Sequence, residues 1–135
     1  MIKPKILYVD DEPLNLLLFE ANLEKKYEVL KAENGLKGLE VIAANPDIKI
    51  VFSDMKMPYM NGIEFIKEAS EQIGPCTFYI LTGFEITHEI QKALDSGLIR
   101  KYYGKPFSMK EISNEIESVL NLHGINPIKN GKEKK

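Results

Sequence analysis

Three aspartates (Asp10, Asp11 and Asp54), a hydroxyl (Thr82) followed by Gly83, and a lysine (Lys105) followed by Pro106 each stand at the end of a short apolar run. Brought into one cleft, three carboxylates repel one another unless a cation joins them. A donor set made of oxygens, with few protein ligands, favours Mg²⁺, with Mn²⁺ as an alternative. Such an ion keeps several waters and accepts phosphate oxygens. Lys105 and Thr82 add a positive point charge and a hydroxyl donor, which is what a phosphoryl group takes beside a metal. Each residue also has an ordinary explanation. Asp10 or Asp11, just before Pro13, could cap a helix. Asp54 could be a loop acid, Thr82 a strand end and Lys105 a solvated lysine. Their joint placement on four strand ends carries the inference.

The elements that must position them are legible as alternating patterns. Residues 5–9, 48–53 and 77–82 are apolar runs bounded by turn or acidic residues, and a weaker run covers 99–103. Continuous runs of this length read as strands buried on both faces, as in a parallel sheet. A more polar run at 27–32 reads as an edge strand. Helical periodicity fills the gaps. Leu14, Leu17, Leu18 and Ala21 follow Pro13 as one inward face, and Leu36, Leu39, Ile42 and Ala43 line a second helix that stops before Pro46. Ile63, Ile66 and Ala69 line a third over about 62–72, and a short fourth, about 87–96, ends at Gly97. The fifth, 109–122, buries Met109, Ile112, Ile116, Val119 and Leu120.

Strand and helix thus alternate five times with short connections, predicting an α/β fold: a doubly wound parallel sheet, flavodoxin-like (βα)5, with strand order 2-1-3-4-5. In such sheets ligands bind beyond the carboxyl ends of the strands. The first and third strands are neighbours in that order, so Asp10, Asp11 and Asp54 converge.

Composition narrows the class. A chain of 135 residues with 44% hydrophobic and 28% charged residues is one globular domain with a core of its own. The single Cys76 has no internal partner, as expected in a reducing compartment. No apolar run approaches a membrane span, and residues 1–11 do not read as a signal peptide, so a cytoplasmic domain without a membrane partner is expected. The net charge of −2 hides an asymmetry: residues 1–120 carry 14 basic and 19 acidic side chains, and the remainder is Lys-rich. An acidic body argues against direct nucleic-acid binding. Residues 123–135 read as a flexible Lys-rich tail or linker after a domain over 1–122.

The stretches 6–13 (ILYVDDEP) and 53–62 (SDMKMPYMNG), with Leu81-Thr82-Gly83 and Lys105-Pro106-Phe107, resemble the response-regulator receiver domains of two-component signalling, the CheY-like family. The resemblance covers about residues 4–122. It implies that Asp54 accepts a phosphoryl group from a sensor histidine kinase or phosphotransfer protein. It also implies that Asp11 binds Mg²⁺ directly, that Asp10 assists through water, and that the Lys56 backbone carbonyl and Asp54 complete the metal ligands. Thr82, Gly83 and Lys105 would contact the phosphoryl group, and Thr82 and Tyr102 would form the switch. The face made by the fourth helix, fifth strand and fifth helix would then bind an output protein or domain, or a second copy in a phosphorylation-dependent homodimer. The domain is expected to be a switch in a phosphorelay rather than a turnover enzyme. The peptide bond before Pro106 resembles one that is usually cis in the family. Lys56 and Phe84, two residues after Asp54 and Thr82, occupy positions where the family tunes the lifetime of the acyl phosphate; a bulky Phe84 is expected either to shield it or merely to pack or form part of a partner surface.

Other readings compete. A degenerate receiver would bind partners without phosphorylation. A flavin-binding relative would need a hydroxyl- and glycine-rich loop after the first strand, where Asp10-Asp11-Glu12 stands. A Mg²⁺-dependent aspartyl-phosphate phosphatase would need an Asp-x-Asp pair and a cap insertion. Met55, Met57 and Met60 read as packing around the site loop, and His88 and His123 show no metal-ligand spacing. Nothing after Leu122 reads as an output domain.

Overall fold

Runs that are apolar on both faces suit the interior of a sheet covered on both sides, and three of the strands are such runs. The computed structural model describes residues 3–83 and 86–122. The chain runs β1 (Lys5–Val9), α1 (Pro13–Leu23), β2 (Glu28–Ala32), α2 (Gly35–Ala44), β3 (Ile50–Asp54), α3 (Gly62–Gln72), β4 (Thr77–Thr82), α4 (His88–Asp95), β5 (Lys101–Gly104) and α5 (Met109–Leu122). The sheet is parallel throughout with order β2-β1-β3-β4-β5, as the alternation predicted. The polar run is indeed an edge strand, β2. The last strand begins two residues later than its apolar run; Ile99 is buried just before it, and Arg100 N–H already donates to the Phe78 carbonyl at 2.9 Å.

Alternate residues of each strand feed two cores. Leu7, Val9, Val51 and Ile80 pack beneath α2, α3 and α4, with Ile42, Phe65, Ile66 and Ile90. Ile6, Tyr8, Phe52, Tyr79 and Leu81 pack beneath α1 and α5, with Phe19, Ile112, Ile116 and Val119. On that second side a row of rings runs across the sheet: Tyr8 to Phe19 at 4.3 Å, Phe19 to Phe52 at 5.4 Å, and Phe52 to Tyr79 at 4.6 Å. Offset and edge-on ring contacts of this kind add to the stabilisation from burial alone.

Two helices turn differently from their expected faces. In α1 the buried residues are Phe19 and Leu23, while Leu14, Leu17 and Leu18 are 61%, 58% and 54% exposed and Ala21 is also exposed. The helix is apolar nearly all round, so periodicity offers no single stripe, and the ring of Phe19 against Tyr8 and Phe52 decides its rotation. In α2, Ile42 is buried and Leu39 packs beside the core, but Leu36 and Ala43 face out and Gly35 and Gly38 face in. There the backbone approaches α3 closely. A Cβ on Gly38 would lie 2.8 Å from the Phe65 ring, and one on Gly35 would lie 2.5 Å from Met60 Cγ. The inward faces expected for α3 and α5 are as observed, with Met109 at the rim.

Candidate functional site

The register of the sheet builds the site. Val9 pairs with Ser53, Asp54 with Leu81, and Thr82 with Gly104. One step beyond these pairs, the strands end together, placing Asp10, Asp11, Asp54, Thr82 and Lys105 on one rim. Backbone bonds lock the rim: Lys105 N–H donates to the Thr82 carbonyl at 2.8 Å, and Met55 N–H donates to Leu81 at 2.9 Å. The loop after Asp54 is closed by Gly62 N–H donating to the Met55 carbonyl at 2.8 Å. Gly62 is required by close approach, since a Cβ there would lie 2.4 Å from the Asp54 carbonyl oxygen. A capping box between Asn61 and Glu64 then starts α3.

Carboxylate oxygens of Asp10, Asp11 and Asp54 lie within 4.8 Å of one another. Asp10 is fully buried and Asp54 nearly so, whereas Asp11 is open to solvent. Lys105 Nζ bridges the two buried acids, 3.3 Å from Asp10 Oδ2 and 3.1 Å from Asp54 Oδ1. Burial pushes the Asp54 carboxyl above the usual range; Lys105 pulls it back and Asp10 and Asp11 push it further up. An acidic cluster with one shared lysine is thus short of positive charge. Hard oxygen donors with an open face fit a divalent cation such as Mg²⁺.

Thr82 is buried at the end of β4, and Gly83 is exposed beside Lys105. Lys56 is exposed on the loop after Asp54, and Met55, Met57 and Met60 are partly buried and pack against the core. Tyr102 is half-buried on the α4 side of the sheet. It pairs in register with Ile80 and Gly104 pairs with Thr82, so the period of two places Tyr102 and Thr82 on the same face. The Lys105–Pro106 peptide bond is cis. Phe84, and with it the expected shielding of the site, lies outside the described residues, as do His123 and the Lys-rich tail.

Two side chains of the site escaped the sequence reading. The Tyr8 hydroxyl donates to Asp10 Oδ2, and Asn15 Nδ2 donates to the same oxygen at 3.2 Å. Burial and the Asp10 carboxylate push the Tyr8 hydroxyl far above its ordinary range, so it stays a donor. Asp10 does not cap α1; its Oδ1 accepts from Glu12 N–H at 2.9 Å, and the helix starts without a side-chain cap. The only sequence signal was a polar ring inside an otherwise apolar run and an amide one turn into the helix.

The profile of response regulator receiver domains matches residues 6–117 of this chain. The chain is 32% identical over 124 residues to sporulation initiation phosphotransferase F of Bacillus subtilis, covering 90% of this chain and 98% of that protein. It is 32% identical over 120 residues to chemotaxis protein CheY1 of Helicobacter pylori strain J99, covering 86% and 96%. A response regulator receiver domain protein of Clostridium thermocellum superposes with a TM-score of 0.82 at 30% identity, covering 90% and 98%. Among the described residues, no helix is long and apolar enough to cross a membrane.

Proposed function

The chain belongs to the response-regulator receiver family of two-component signalling, and from that premise we propose that Asp54 is its phosphoacceptor and that the domain is a phosphorylation-driven switch. The observation that carries this reading is Lys105 Nζ at 3.1 Å from Asp54 Oδ1, with Asp10 and Asp11 alongside. Asp11, Asp54 and the Lys56 backbone carbonyl would hold Mg²⁺ or Mn²⁺, with Asp10 acting through water. The ion supplies charge neutralisation on the transferring phosphoryl group.

A carboxylate is a modest nucleophile, so the donor must be activated, as a phosphohistidine on a sensor kinase or phosphotransfer protein is. An Asp54 oxygen forms the new O–P bond as the P–N bond breaks, and the imidazole leaves with the electron pair. Lys105 pairs with the phosphoryl oxygens, and Thr82 and Gly83 donate to them. Thr82, drawn toward the acyl phosphate, vacates space on the face it shares with Tyr102. Inward movement of Tyr102 then alters the α4–β5–α5 surface, which would bind an output protein or domain, or a second copy of the chain. Lys56 and Phe84 would set how fast water removes the phosphate.

A protein donor must cover the surroundings of Asp54 to deliver its imidazole. Helix α1 starts two residues after Asp11 and presents Leu14, Leu17 and Leu18 to solvent. Exposed leucines on one helix face beside the site are suited to such a contact.

Intact mass after incubation with acetyl phosphate tests the reading. A gain of about 80 Da that needs Mg²⁺ and is lost in Asp54→Ala is expected. No gain under any condition with either acetyl phosphate or a histidine-phosphorylated donor protein refutes it and leaves a receiver that binds its partner unmodified.

A further inference from the structure

We propose that Tyr8 and Asn15 are positioning residues of the cation site: they hold the Asp10 carboxylate by Oδ2, so that Oδ1 is the oxygen turned to the ion's water shell. The proposal rests on the aspartate cluster being the cation site. Asp10 is fully buried, and its Oδ2 accepts from three side chains: the Tyr8 hydroxyl, Asn15 Nδ2 at 3.2 Å and Lys105 Nζ at 3.3 Å. Oδ1 accepts from Glu12 N–H at 2.9 Å. A carboxylate offers about four lone-pair positions, two on each oxygen. Three donors thus share the two positions of Oδ2, which is saturated, whereas Oδ1 has one donor and keeps one position.

The two neutral donors differ from Lys105. The lysine is a long side chain shared with Asp54, and it can follow a phosphoryl group. Tyr8 and Asn15 are fixed by the fold. Tyr8 lies in β1, fully buried, between Lys31 and Phe52 in register, with its ring 4.3 Å from Phe19. Asn15 lies in the first turn of α1, the helix that carries Phe19. Tyr8 and Asn15 thus reach Asp10 from two different elements, β1 and α1. Packing alone does not explain Tyr8: a phenylalanine ring would fill the same space, and the hydroxyl donates to Asp10. Partners that orient the carboxylates around a metal change its affinity when removed, by about 10–100-fold.

Isothermal titration of the full chain with MgCl₂ tests this. Tyr8→Phe should weaken Mg²⁺ binding about tenfold, and Asn15→Ala should weaken it in the same direction, with both variants still unfolding in one cooperative transition in chelator. Phe19→Leu disturbs the same ring packing without touching either donor; it should lower the melting temperature and leave the affinity unchanged. Equal Mg²⁺ affinity in wild type, Tyr8→Phe and Asn15→Ala overturns the proposal and leaves the cation site standing. So does a loss in Phe19→Leu as large as in Tyr8→Phe, which would place the effect in packing. A wild type that binds no Mg²⁺ overturns the proposal together with the reading of the cluster.

Discussion

Lys105 Nζ lies 3.1 Å from Asp54 Oδ1, and it is the same ammonium that reaches Asp10 from 95 positions away in the chain. One ammonium therefore sits on two of the carboxylates that a divalent ion would use. Lys105→Met should raise Mg²⁺ affinity about fivefold, worth roughly 1 kcal/mol for a partly exposed pair. It should also slow labelling by acetyl phosphate, because the phosphoryl oxygens lose their counter-charge. Calorimetry and intact mass on the same variant check both; unchanged affinity would show that the lysine and the ion do not compete.

A second charged cluster lies across the sheet under α5. Glu115 is buried and accepts from the Tyr79 hydroxyl at 2.6 Å, Arg100 Nε at 2.6 Å and Lys101 Nζ at 2.8 Å. Burial works against its charge, but the hydrogen bonds from Lys101, Tyr79 and Arg100 outweigh it and hold the carboxyl below its ordinary 4.5. A group depressed in the folded state stabilises the fold above its unfolded value and loses that contribution as pH falls through the folded one. Glu115→Gln should cost about 2 kcal/mol at neutral pH, with the gap to wild type closing as the solution is acidified below 4.5. Urea denaturation at several pH values measures it, and a gap independent of pH would refute the ionic account.

Tyr59 has φ of 76° and is 82% exposed, on the loop that follows Asp54. A bulky side chain in the left-handed region is strained, and here little burial offsets it. Asparagine tolerates that region, so Tyr59→Asn should stabilise the fold by about 0.5–1 kcal/mol. The urea midpoint should rise with an unchanged slope; a fall would mean the ring makes contacts that outweigh the strain.

The outward leucines of α1 give a separable outcome. Changing Leu17 and Leu18 to serine should alter stability by no more than about 0.5 kcal/mol each, since both are exposed. Phosphotransfer from a histidine-phosphorylated donor protein should slow, while labelling by acetyl phosphate, which needs no docking face, should not. Equal rates from both donors in variant and wild type would remove α1 from the docking surface.

Much of this was determined by sequence alone. The apolar runs before Asp10, Asp54 and Thr82 alternate with helical patterns and so read as interior parallel strands, whose common direction brings those residues to one rim. The α3 and α5 faces were equally legible, because each has a single apolar stripe. Tertiary structure decided the rest. An α1 helix apolar on nearly every side has no stripe for periodicity to find, and the fit of Phe19 between Tyr8 and Phe52 sets its rotation. The inward face of α2 is made of Gly35 and Gly38, which a count of apolar side chains passes over. The bonds of Tyr8, Asn15 and Lys105 to one oxygen of Asp10 depend on directions in space that a linear pattern does not carry. Hydrophobic spacing constrains which residues are buried, whereas hydrogen bonds between distant elements form only after packing has fixed where each donor points.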